Sequence, residues 1–407
     1  MEYALILFIL VFFGGIKLFK GIRFFKWEII FLILFLFLSL FGLIYQSMTI
    51  GNVISRDYMV VLRIGFYVSA FLFVSVICAK QKYYRNDILL MHVFGAVLVF
   101  LTLAQYYNLF GINEIIKPFA PENMERMDIL VSQAGWRRAV GTLGNPNYWG
   151  LLIAMWGCVV GYRLFWEKRW IYAPLLLALL GSILLTGSRS ALVAYVGALI
   201  AGGGLLLFTV KKSPSLAIAT LFAVLAAVAV IRVDVTSEVE TSDRYSLEKL
   251  DTLEMRISVW GRILNEMSQK PISFVIGQGT RKGTNIVGYA DNAYIKILRE
   301  HGVLGLLPYL FLIGFMIRRT LKLVESSGDG DRSWPGGLLL LLFAWAIFDL
   351  SADTWYGPRL MGVIFGLYAF VHMVGSNRLS EKPARAPVAA PAYGDLASRE
   401  VPSLNRG

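Results

Sequence analysis

Arg189 stands between two apolar runs, in Leu185-Thr186-Gly187-Ser188-Arg189-Ser190. An arginine at the centre of a bilayer costs about 2.5–3.5 kcal/mol on insertion scales, so Arg189 needs a partner, a wet cavity or the membrane surface. A helix-end arginine that snorkels to the interface meets that need with no ligand. The flanking hydroxyls equally suit an anion-binding turn, because a guanidinium fork matches phosphate oxygens and Ser and Thr add donors beside it. A second stretch, Ala290-Asp291-Asn292-Ala293-Tyr294-Ile295-Lys296, precedes an apolar run containing Gly302 and Gly305. Asp291 or Asn292 can cap the following helix, and the two glycines permit a break or close packing. If the Asp291 carboxylate faces a cavity instead, it can take a proton from a hydroxyl while arginines hold a departing diphosphate. That chemistry requires separate roles, since an ion-paired aspartate is a poor base.

A third stretch, Gly141-Thr142-Leu143-Gly144-Asn145-Pro146-Asn147-Tyr148-Trp149-Gly150, lies just after Arg137 and Arg138. Asn145 can cap a helix with Pro146 in its first turn, a purely structural role. Together with Asn147 and the two arginines it can also line a polar vestibule. Three histidines, His92, His301 and His372, stand apart and give no zinc spacing. Neither a phosphate-binding glycine loop nor a serine nucleophile elbow occurs, which argues against coupling to nucleotide hydrolysis. Cys78 and Cys158 fall inside apolar runs and imply neither a metal site nor a disulfide.

The elements that must position these residues are membrane spans. Of 407 residues 57% are hydrophobic and only 16% charged, which excludes a disordered chain, a small disulfide-stapled domain and an ordinary soluble globule. Apolar segments recur at 3–19, 27–47, 59–78, 88–110, 147–166, 171–186, 190–210, 214–231, 293–317, 336–350 and 358–375. A spanning helix takes about 17–25 residues, so 171–186 and 336–350 are short. The fold class is therefore an all-α polytopic membrane protein with about eleven transmembrane helices (10–12). A bundle covers 1–380, and the Ala-, Pro- and Ser-rich 381–407 reads as a disordered cytoplasmic tail.

The formal charge of +12 raises nucleic acid or anionic lipid as partners, and placement favours the membrane. Lys17, Lys20, Arg23 and Lys26; Lys80, Lys82 and Arg85; Arg163, Lys168 and Arg169; Lys211 and Lys212; and Arg318, Arg319, Lys322 and Arg332 fall on one side, which the positive-inside rule makes cytoplasmic. The N-terminus then lies outside and the C-terminus inside. Met1-Glu2 leads straight into an apolar run, without the basic start of a cleaved targeting segment. The outer side receives the 111–146 loop, the turn at 187–189, the 351–357 turn and one long loop, 232–292. Within that loop Leu247, Leu250, Leu253, Ile257, Trp260, Ile263, Leu264 and Met267 recur at three and four, predicting an amphipathic helix that ends before Pro271. Such a helix can simply pack on the bundle or lie at the membrane interface. Outer-side cations run against the positive-inside bias, and Arg137, Arg138, Arg189 and Arg359 have no acid within four residues. Something negative is expected there.

With these stretches in view, residues 130–375 resemble the bacterial O-antigen ligase and O-antigen polymerase superfamily. Asn292, Gly302 and Gly305 fall where that family's outer-loop motif has Asn and its two glycines, but Asp291 stands where the family has His. Thr186 to Ser190 is similar to its arginine-bearing helix junction, Arg256 with Trp260 to its Arg-x-x-x-Trp element, and Asn145-Pro146-Asn147 and Gly277-x-Gly279 also look familial. The resemblance implies transfer of a glycan from an undecaprenyl diphosphate carrier to a glycan or lipid acceptor outside the bacterial cytoplasmic membrane, with inversion, no metal and no cofactor. It implies Asp291, Arg189 and Arg256 as catalytic residues, and Arg137, Arg138, Asn145, Asn147, Trp260 and Asn292 as substrate-binding ones. Loss of the family's His favours a polymerase of O-antigen or exopolysaccharide repeats over a ligase to the lipid A-core of lipopolysaccharide. A flippase or other transporter is a further alternative, but it often shows internal repeats, and none is visible.

Overall fold

Fourteen-residue or longer apolar helices dominate the computed structural model, which describes residues 24–50, 55–78, 87–116, 138–210, 251–279, 291–328, 332–355 and 357–379. The expected spans at 3–19 and 214–231, Arg137, the rest of the long outer loop and the tail lie outside the described residues. In order come α1 (Lys26–Ile50), α2 (Ser55–Cys78), α3 (Asp87–Tyr107), α4 (Pro146–Trp166), α5 (Ala173–Thr186) and α6 (Arg189–Val210). The amphipathic α7 (Asp251–Ser268) and short α8 (Pro271–Ile276) follow, then α9 (Ala293–Ser326), α10 (Ser333–Phe348) and α11 (Pro358–Leu379). Six of these helices are long and apolar enough to cross a membrane, and three shorter apolar ones lie at Leu62–Cys78, Trp170–Thr186 and Ser333–Phe348.

Helix α4 is the axis of the packing. It is buried almost throughout, with Trp149, Ile153, Met155 and Tyr162 in the core, and it packs on α5, α6 and α10. Gly336 and Gly337 let α10 approach closely, since a Cβ at Gly336 would fall 2.1 Å from the Tyr162 ring. By contrast, α1 exposes Phe37, Phe41 and Ile44, and α3 exposes Leu89, Val93, Val97 and Phe100. Continuous apolar exposure of that extent suits a lipid-facing surface. Hydroxyls inside the spans are satisfied locally: Ser39, Thr102 and Thr320 each donate to the carbonyl four residues back.

The polar residues separate to two ends. At one, Arg319 bonds Glu28 at 2.6 Å, Tyr368 donates to the same carboxylate, and Arg332 caps the end of α9 through the Val324 and Ser327 carbonyls. Arg163 and Arg169 flank Glu167 at the foot of α4. These arginines all belong to the set expected on the cytoplasmic side. The other end gathers the turn between α5 and α6, the start of α4, the start of α9 and the connection from α10 to α11.

Candidate functional site

The site is built around a broken helix. Asn292 caps α9 by accepting from the Ile295 amide at 3.0 Å, and its side-chain amide donates to the Leu350 carbonyl at 2.9 Å. The Ala293 amide bonds the Asp349 and Ala352 carbonyls, so the start of α9 is stitched to the connection leaving α10. Three turns on, Gly302 takes φ 65°, ψ −168° and interrupts the helix. A break leaves carbonyls that apolar surroundings cannot satisfy. Here the Gln278 amide donates to Arg299 at 2.8 Å and the Gly279 amide to Glu300 at 3.1 Å. Gly277, at φ 84°, ψ 178°, makes that approach possible: a Cβ there would fall 2.3 Å from the Glu300 carbonyl oxygen, and one at Gly302 would fall 2.1 Å from that of Val275. Both backbone conformations are essentially confined to glycine. A Cβ at Gly305 would lie 2.2 Å from that of His301, so the second motif glycine serves close packing beside the break.

A connection of dense polarity lies against this helix start. Asp349 is buried; its carboxylate accepts from Tyr309 Oη, from Thr354 Oγ1 at 2.5 Å and from the Thr354 amide at 3.2 Å. Burial pushes its carboxyl up to about 7, against the opposing pull of the Thr354 and Tyr309 hydrogen bonds. Asp353 pairs with Lys296 of α9, and its carbonyl accepts from Tyr148 of α4. Tyr67 of α2 donates to the Trp355 carbonyl. Three helices, α2, α4 and α9, are thus pinned to residues 349–355. Sequence reading singled out neither Asp349 nor Asp353. The available signal was two acids with Ser351 and Thr354 in a short link between apolar runs.

Above this layer Arg256 of α7 meets Asp291, with Nη2 3.2 Å from Oδ2, while its Nη1 donates to the Ser351 carbonyl at 3.1 Å. Asp291 is half exposed, and Arg256 is more sheltered. Two residues expected to act separately are therefore partners. Trp260 packs beside Val259, Ile263 and Met267, which bury against Leu298 of α9. Ile257 and Leu264, read from periodicity as part of the same apolar face, are exposed.

A second group forms at the turn between α5 and α6. Arg138 donates to the Thr186 carbonyl at 2.7 Å, the Gly187 carbonyl at 3.2 Å and Asn147 Oδ1 at 3.2 Å, closing the carbonyl end of α5. Asn145 caps α4 by accepting from the Asn147 amide at 2.8 Å and the Tyr148 amide at 3.4 Å. Arg189 opens α6 directly beyond this turn and is half-buried, and Arg359 donates to the Thr142 carbonyl at 2.9 Å. Tyr148 joins the two groups through Asp353. Arg189 and Asp291 accordingly lie at the same end of the bundle. Among the described residues no cluster of three or more His, Cys, Asp or Glu could hold a metal ion.

No curated protein matches the chain. Residues 173–310 match the family model described as O-Antigen ligase. The matched span runs from α5 to the middle of α9 and contains Arg189, Arg256, Asp291 and the break at Gly302. Over that span this polytopic, helical chain is similar to the O-antigen ligase family.

Proposed function

We propose that the chain transfers a glycan from an undecaprenyl diphosphate carrier to an acceptor hydroxyl, in the ligase manner that the matching family's description names. The reaction belongs at the outer face of a bacterial cytoplasmic membrane. The observation that carries the reading is the Arg256–Asp291 pair, a cation and a half-exposed carboxylate placed together beside a polar connection. In the transfer the bond from the sugar carbon to the diphosphate oxygen breaks. The acceptor oxygen attacks from the opposite face, its proton passes to Asp291, and negative charge collects on the leaving diphosphate. Fixed cations aimed at that charge stabilise the transition state.

In the resting state the Arg256 guanidinium occupies the Asp291 carboxylate. A diphosphate offers Arg256 more negative charge and better fork geometry than one carboxylate does. Donor binding therefore draws Arg256 away and releases Asp291 toward the acceptor, so the base becomes active once a leaving group is in place. Arg189 is the second cation of this scheme. Arg138, Asn145 and Asn147 hold the turn that presents Arg189, Arg137 is a further phosphate contact, Asn292 fixes the start of α9, and Trp260 covers the sugar or carrier. The partners are the lipid-linked glycan, a glycan or lipid acceptor and the bilayer, with no nucleic acid.

Polymerisation of repeats is the second reading, and Asp291 in place of the family's histidine favours it. The test supplies purified protein in liposomes with a defined undecaprenyl-diphosphate glycan and lipid A-core. One transfer to lipid A-core is expected; a ladder of products moves the assignment to polymerisation. Movement of the donor across the bilayer without any new glycosidic bond overturns both.

A further inference from the structure

The apolar surface of the outer hairpin is wider than its packing on the bundle requires. Around α7, Ser258, Arg262, Asn265 and Gln269 form one exposed polar face. Val259, Ile263 and Met267 form a buried stripe against α9. A third stripe, Ile257 and Leu264 with Gly261 between them, is exposed and lies about 100° around the helix from the buried one. Helix α8 adds Ile272, 67% exposed, with Phe274 and Val275.

These exposed side chains continue an apolar belt. Val275 touches α9 at the Gly302 break, and immediately beyond that break α9 exposes Leu304, Leu307, Leu310 and Phe311. The belt on α9 belongs to a helix long and apolar enough to cross a membrane. Exposed Lys270 stands at the start of α8, next to Pro271 and Ile272, and a lysine beside an apolar surface can extend its ammonium to lipid phosphate.

We propose that α7 and α8 form an interfacial wedge, with Ile257, Leu264, Ile272, Phe274 and Val275 immersed at the acyl boundary of the adjoining phospholipid leaflet. Lys270 contacts the phosphate headgroups, and the Ser258–Arg262–Asn265 face remains in water. The wedge would hold Arg256 at a fixed depth over Asp291. This inference stands on exposure and continuity and is independent of the transfer reaction.

The test uses the full chain in phospholipid nanodiscs, with single environment-sensitive fluorophores on Ile272→Cys and Asn265→Cys; native Cys78 and Cys158 are buried. Lipids bearing a nitroxide near the headgroup end of the acyl chain should quench the label at position 272, and aqueous iodide should not. The label at 265 should respond in the opposite way. Quenching of position 272 by iodide, or its protection from both quenchers by a second copy or another protein segment, overturns the proposal.

Discussion

Arg256 and Asp291 make the sharpest residue-scale predictions. If the carboxylate takes the acceptor proton, Asp291→Asn should lower turnover by about 10²–10⁴-fold at unchanged protein abundance, the usual range for loss of a general base. Asp291→His should restore part of the loss and move the acidic limb of the pH–rate profile upward, since imidazole titrates near neutrality. An Asn variant with wild-type turnover would remove Asp291 from the chemistry. Asp349 makes a separate prediction about stability. Its carboxyl rises from an ordinary 3.8 to about 7 because it is buried. Between those values the native state holds more protons than the unfolded chain, so stability falls as pH rises through the window, and the loss is complete above it. Asp349→Asn keeps an acceptor for Thr354 and a polar group for Tyr309 while removing the titration. Its thermal midpoint should therefore fall less than wild type's between about pH 4 and about pH 7; an unchanged slope would show that other groups set the dependence.

At the element scale the broken helix is the feature most dependent on particular residue types. Gly302→Ala places a side chain in a backbone region essentially confined to glycine, which alone costs about 1–3 kcal/mol. It also drives a Cβ to 2.1 Å from the Val275 oxygen. Reduced abundance and a lowered melting temperature should result, and Gly277→Ala should behave alike because it meets the same junction from the other side. Asn292→Ala should cost about 1 kcal/mol as a lost cap, with a further loss from the Leu350 bond. Glycine spacing made a break after Asn292 legible in sequence. What closes the break was not, because the amides of 278 and 279 reach it through tertiary contact. Periodicity likewise located α7 but assigned Ile257 and Leu264 to the same face as Ile263. A three-to-four repeat marks apolar positions without distinguishing which meet protein and which meet lipid.

For the whole molecule, hydropathy alone located nine described apolar helices, eight of them within a few residues and α9 short of its observed end at Ser326, since about 20 apolar residues in succession have few other uses. The polar connection at 349–355 stayed hidden, because Lys296 and Asp353 are 57 positions apart and only packing pairs them. Charge bias carried further than motif reading did. Arg163, Arg169, Arg319 and Arg332, grouped by the positive-inside argument, do gather at one end, and Arg138, Arg189, Arg256 and Arg359 at the other. Which end faces the cytoplasm follows from the rule that Lys and Arg are retained inside. Asn265→Cys on α7 and Lys322→Cys near the end of α9 are both exposed positions and report the two ends separately. A membrane-impermeant maleimide added to intact spheroplasts should label position 265 and leave 322 unlabelled until the membrane is permeabilised. The reverse pattern would turn Arg256 and Asp291 toward the cytoplasm, out of reach of a carrier glycan displayed on the outer face, and the transfer reaction would have to be abandoned along with the orientation.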